Sequence, residues 1–113
     1  MQLHSAVFYT KNINLVEAFY KNKLGFEVEY RSDDRFISFN IGDTGRLGVK
    51  KQIEDREIPG HQTVFIEVEE IEDYYNKIRS SKEIKILKPL TKEKWATEFT
   101  ILDPDGNKVL FRS

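Results

Sequence analysis

Apolar positions along this chain switch between the period of a strand and the period of a helix, and the whole order of switches occurs twice. Leu3 to Thr10 is dominated by apolar and aromatic residues with no breaker, which predicts a strand. Asn12 or Asn14 can cap the helix that follows, and Glu17 stands three residues after Asn14, as in a capping box. Ile13, Val16, Phe19, Tyr20 and Leu24 recur at helical spacing and form one apolar stripe, which Gly25 ends by taking the left-handed cap. Phe26 to Arg31 predicts a second strand, with Phe26, Val28 and Tyr30 on one face. Ser32-Asp-Asp34 is a turn, Phe36 to Ile41 a third strand, and Gly42-Asp-Thr-Gly45 turns into a fourth, Arg46 to Lys51.

Gln52 to Gly60 has no period, is rich in charge and breakers, and reads as a solvated linker that includes Glu54, Asp55, Arg56 and Glu57. The pattern then starts again. Thr63 to Val68 predicts a strand, and Glu69-Glu70 supply acidic residues for a helix start. Ile71, Tyr74, Tyr75 and Ile78 form the next apolar stripe. Ile84 to Leu87 is a short strand that Pro89 is expected to end, and a loop through Thr91-Lys-Glu-Lys94 leads to Trp95. The last strand pair, Thr97 to Phe111, flanks Asp103-Pro-Asp-Gly106, where proline presets φ, Asp caps its own backbone and Gly106 supplies the positive φ that closes the turn.

The element order is β-α-β-β-β, a linker, and β-α-β-β-β again, which suggests an internal duplication. The expected fold is α+β in one domain, residues 1–113: module 1 over about 1–51, a linker over 52–60 and module 2 over about 61–113. Each module presents a sheet with one helix on its outer face, and the remaining sheet faces are expected to form a concave cup.

Composition narrows the function classes. The chain has 113 residues, of which 39% are hydrophobic and 33% charged, a globular balance. Eighteen basic and 19 acidic residues leave a net charge of −1, with no basic surplus to favour nucleic acid. Cysteine is absent, which excludes disulfides, thiol nucleophiles and thiolate zinc sites and fits a cytoplasmic protein. Met1-Gln-Leu-His-Ser5 has no basic segment followed by an apolar core, so no signal peptide is expected. No apolar run reaches the ~20 residues that span a bilayer. Neither a nucleophile elbow nor a phosphate-cradling glycine loop is present.

Three segments carry a resemblance. Phe19-Tyr20 followed by Leu24-Gly25-Phe26, then Val64-Phe-Ile-Glu-Val-Glu-Glu-Ile-Glu-Asp-Tyr-Tyr75, then Asp103-Pro-Asp-Gly-Asn-Lys-Val109 resemble, in order and separation, segments of the vicinal oxygen chelate superfamily. That superfamily includes glyoxalase I, bleomycin resistance proteins, fosfomycin resistance enzymes and extradiol dioxygenases. The resemblance covers nearly the whole chain and implies the cup expected above. Metal-dependent members place His or Glu ligands on the strands that open and close each module. By resemblance those positions fall here on Ser5, with His4 one residue early, and on Gly48, Thr63 and Leu110. None is a good ligand for a hard divalent ion. A displaced set of His4, His61 and Glu67 is the alternative, with His61 on the parity of Thr63 if the strand extends that far.

Alternation assigns the side chains that face the cup. They are Ser5, Val7 and Tyr9 on the first strand, Thr63, Phe65 and Glu67 on the fifth, and Lys108, Leu110 and Arg112 on the last. Trp95 stands at the entrance to the final hairpin, and Phe36 is a further candidate wall. The candidate ligand-binding set is therefore Ser5, Tyr9, Thr63, Phe65, Glu67, Trp95, Leu110 and Arg112, with Glu67 and Arg112 as polar anchors. The expected function is binding of a small organic molecule without cofactor or metal, resembling the bleomycin resistance proteins, in a cytoplasmic homodimer with no nucleic-acid or membrane partner. The alternatives are a metal-dependent lyase or dioxygenase using the displaced ligands, and a non-catalytic regulatory or structural dimer domain.

Overall fold

Two four-stranded mixed sheets, each with its own helix, account for residues 1–113 of the computed structural model. They fall into two compact units, Met1–Gly60 and His61–Ser113. In the first unit β1 (Ala6–Thr10) is followed by helix α1 (Ile13–Glu17), then by β2 (Glu27–Ser32), β3 (Phe36–Ile41) and β4 (Gly45–Lys51). In the second, β5 (Thr63–Glu67) is followed by α2 (Ile71–Arg79), β6 (Lys85–Lys92), β7 (Thr97–Leu102) and β8 (Lys108–Arg112). The strand orders are β1-β4-β3-β2 and β5-β8-β7-β6, so each unit pairs its first strand in parallel with its last and is a βαβββ module. No helix is long and apolar enough to cross a membrane.

The helix stripe of the first module is its core. Asn12 is the cap, its Oδ1 accepting from the Leu15 amide at 3.2 Å. The capping box on Asn14 does not form, because Glu17 instead takes the Arg31 guanidinium at 3.0 Å. Beyond Glu17 the helix widens into a π-helical stretch, Ala18–Lys23, in which the Leu24 amide bonds the Phe19 carbonyl. Gly25, at φ +79°, then turns the chain so that the Phe26 amide reaches the Tyr20 carbonyl. Tyr20 is fully buried, with Phe26 and Phe39 ring centroids 5.6 and 5.4 Å away. The Phe-Tyr…Leu-Gly-Phe segment is therefore a folding device of the helix end.

The second helix lays Tyr74 and Tyr75 on Phe99 and Phe111, with centroids 5.0–6.3 Å apart. Val109, Phe111, Phe99 and Ile101 are fully buried beneath it. Its cap is Glu70, in the left-handed region, and the acids of its first turn are Glu72 and Asp73 rather than Glu69 and Glu70. In the closing hairpin Asp103 accepts from the amides of Asp105 and Asn107 and from the Asn107 side chain. Asn107 in turn accepts from the Gln62 amide, which ties the turn to the entry of β5.

Four expectations are corrected. Strand β1 begins at Ala6 rather than Leu3. Val28 and Tyr30 do not share a face: Val28 pairs with Phe39 and Tyr30 with Ser38, so Glu29 is an extra residue in a bulge. Pro89 does not end a strand at Leu87. Strand β6 runs through it to Lys92, absorbing Thr91 and Lys92 from the expected loop. It is an edge strand with register shifts on both sides of Lys88, where a proline without an amide hydrogen is tolerated. Segment 52–60 is no simple solvated loop. It packs with the first module, and Glu57 is only 9% exposed.

Candidate functional site

Each sheet has a face covered by its helix and a second, helix-free face, and strand register decides which side chains occupy the latter. In the first module Val7 pairs with Gly48 and Tyr9 with Lys50, while Gly48 and Lys50 pair on their other side with Ser38 and Phe36. Cross-strand partners share a face, so these residues form one surface opposite Phe8 and Thr10, which are buried. Ser5 lies just before the strand and bonds the exposed His4 ring at 3.3 Å. Phe36 leans diagonally across Gly48: a Cβ added there would lie 2.9 Å from the Phe36 ring and 3.5 Å from Val7. This makes an apolar floor of Val7, Phe36 and Tyr9.

Charge is held in pairs around that floor. The bulge at Glu29 turns its carboxylate onto the helix-free face, where it accepts from Arg46 and, at 2.9 Å, from the Ser38 hydroxyl. Arg46 first and Ser38 second hold the Glu29 carboxyl below the usual carboxylate range. The Lys50 ammonium pairs with Glu57 and lies 6.0 Å from the Tyr9 ring centroid. Glu57 also accepts from the amides of Ile53 and Glu54, and these donors, Lys50 foremost, lower its pKa to about 2.

In the second module Thr63, Phe65 and Glu67 pair with Lys108, Leu110 and Arg112, which pair in turn with Leu102, Thr100 and Glu98. The helix-free face therefore carries the expected residues of β5 and β8 side by side. Phe65 is 63% exposed and Trp95 65% exposed, whereas Leu110 and Arg112 are half-buried. Glu98 is buried, accepting from Lys88 Nζ at 3.3 Å and from the Trp95 indole at 3.4 Å. Lys88 also binds Glu93 at 3.1 Å, and Glu93 foremost, with Glu98, raises the Lys88 pKa. Sequence reasoning missed this cluster. The signal was present, since a turn at Asp103–Asn107 places Glu98 opposite Arg112 by counting outward.

The positions that carry metal ligands in metal-dependent relatives do not fit a metal here. Gly48 offers no donor and has the Phe36 ring over it, Leu110 is aliphatic, and Thr63 and Ser5 bring only hydroxyls. His61 has a left-handed backbone at φ +63°, so β5 does not extend to it, and no three His, Asp or Glu side chains gather as ligands.

Comparison with known proteins fits this architecture. The family model of the glyoxalase/bleomycin resistance protein/dioxygenase superfamily matches residues 2–111. The chain belongs to that superfamily. Among solved structures, TioX from Micromonospora sp. ML1 superposes with a TM-score of 0.81 at 16% identity, covering 98% of each chain. A superfamily member from Sphaerobacter thermophilus gives 0.79 at 22% identity, over 99% of this chain and 96% of that one. Lactoylglutathione lyase from Agrobacterium tumefaciens gives 0.79 at 17% identity, over 98% and 92%. At these identities the likeness is one of fold. A search of curated proteins by sequence finds no match.

Proposed function

We propose that this superfamily member binds a small organic molecule without a metal ion and sequesters it, as a homodimer, on the helix-free faces of its modules. One observation carries the reading. Where metal-dependent relatives place imidazoles and carboxylates, this chain has Ser5, Gly48, Thr63 and Leu110, and an aromatic ring occupies the space above Gly48. The same faces offer aromatic surface at Tyr9, Phe65 and Trp95 beside ordered charged groups, a combination that suits a flat molecule with a polar end. The superfamily's bleomycin resistance branch gives sequestration as the functional model.

The test is elemental analysis of the purified protein together with native mass spectrometry of what co-purifies. The expected result is less than stoichiometric metal and an organic molecule released chemically unchanged. A stoichiometric divalent ion lost on replacing His4, His61 and Glu67 would instead support a metal-dependent lyase or dioxygenase. Protein that is empty, and whose melting no compound of a broad panel shifts, would support a non-catalytic dimer domain.

A further inference from the structure

Glu98 is the common neighbour of two side chains that together specify a class of ligand. Its Oε1 accepts from Lys88 and its Oε2 from the Trp95 indole, one hydrogen bond to each oxygen. Arg112 is the cross-strand partner of Glu98 and receives neither oxygen. On its other side Arg112 adjoins Glu67, with which it forms no ion pair. Arg31 binds Glu17 and Asn14, Arg46 binds Glu29, and Arg56 binds Glu54, while Arg35 and Arg79 are exposed to solvent. Arg112 is thus a half-buried guanidinium on a sheet face whose fork of donors has no acceptor.

The indole that shares Glu98 as a neighbour is unusual in the opposite sense. Trp95 is 65% exposed, yet its N–H reaches, at 3.4 Å, a buried carboxylate that shares Lys88 with Glu93. A hydrogen bond at its edge restricts the orientations of the indole, so less conformational entropy is lost when the ring meets a ligand. Phe65, also largely exposed, stands on the same face two strands away from β7.

Resting on the reading of this chain as a small-molecule binder, we infer that its ligand is an organic carboxylic acid with a flat apolar body. The carboxylate takes both arms of the Arg112 guanidinium, and the flat body lies against Trp95. The guanidinium fork suits a planar carboxylate bidentately, and its single positive charge balances a monoanion fully but a phosphate dianion only by half. Lys88, Glu93 and Glu98 position Trp95 and stay out of direct contact.

Calorimetric titration of the full chain with 2-naphthoate, 2-naphthylmethanol, 2-naphthylmethylamine and 2-naphthyl phosphate tests the inference. Fluorescence of Trp95, the one tryptophan in the sequence, follows each titration. Naphthoate is expected to bind about tenfold or more tightly than the alcohol, as a charge-assisted hydrogen-bond pair provides. Arg112→Met, checked for folding by circular dichroism, is expected to erase that preference by lowering the affinity for naphthoate to that for the alcohol. Arg112→Gln serves if the methionine variant does not fold. Trp95→Ala is expected to weaken acid and alcohol together. Equal affinity of acid and alcohol, full naphthoate binding by the Arg112 variant, tighter binding of the phosphate, or no binding of naphthoate overturns the inference. Binding of the alcohol or amine without preference for the acid overturns only the ligand class. A stoichiometric metal with none of the four bound overturns the small-molecule reading itself.

Discussion

A glutamate in a charge-rich, breaker-rich segment normally rests in water, and Glu57 does not. Its carboxylate gathers the Lys50 ammonium and two backbone amides, so its pKa falls from 4.5 to about 2. A carboxyl whose folded pKa lies below its unfolded value adds stability above the unfolded pKa and loses it as pH falls through the folded one. The gap in stability between wild type and Glu57→Gln should therefore be full at neutral pH, shrink as pH drops below 4.5, and close near pH 2. Urea unfolding at a series of pH values measures it. A gap that does not change with pH would mean that the ionised form is not what holds segment 52–60. Nothing in the residue types around Glu57 announced this role, because its partners are an ammonium from β4 and amides that only a folded turn directs inward.

At the scale of elements, the end of the first helix makes a sharp case. Gly25 sits at φ +79°, with nothing within 4 Å of an added Cβ, so Gly25→Ala meets no steric clash and isolates backbone strain. The left-handed region costs a residue with a Cβ about 1–2 kcal/mol, and the variant should lose that much in urea unfolding. A neutral outcome would show that the π-helical stretch relaxes to admit a right-handed end. This cap was legible in the sequence because glycine after an apolar stripe has one main structural use. The same holds for the faces of β1, β5 and β8, where strict alternation runs unbroken. Alternation failed at β2 and β6, where Glu29 and the residues around Pro89 add length to one strand only. A bulge changes parity without changing composition, so pattern alone cannot place it. The proline rule misled for a related reason: it forbids a central strand, and only topology reveals that β6 lies at an edge.

For the whole molecule, the duplicated βαβββ order was legible because two helical stripes and six of the eight strands keep their period. The candidate site was legible only in part. Residues fixed by parity, such as Phe65, Leu110 and Arg112, were assigned to the correct face, whereas Glu98, Lys88 and Glu29 emerge from pairing across strands. The distinction matters for function, since a metal site is legible in a sequence as residue types, whereas an organic-ligand site is legible only as an arrangement of them.

That difference has a thermodynamic consequence. Anything that binds the folded chain alone stabilises it by RT ln(1 + [L]/Kd), about 2.7 kcal/mol at a hundredfold excess over Kd. For a domain near this size, such a gain raises the melting temperature by roughly 10 °C. A protein that depends on a bound ion must lose that increment to a chelator and regain it with the ion. Here the hydroxyls of Ser5 and Thr63, a bare Gly48 and an aliphatic Leu110 cannot hold a hard cation against water. Melting of the purified protein should therefore be unchanged by excess chelator and by added zinc, manganese or nickel. A carboxylic acid that engages Arg112 and Trp95 should raise it in proportion to the logarithm of its concentration. A saturable rise with a divalent ion, reversed by chelator, would return the chain to the metal-dependent members of its superfamily.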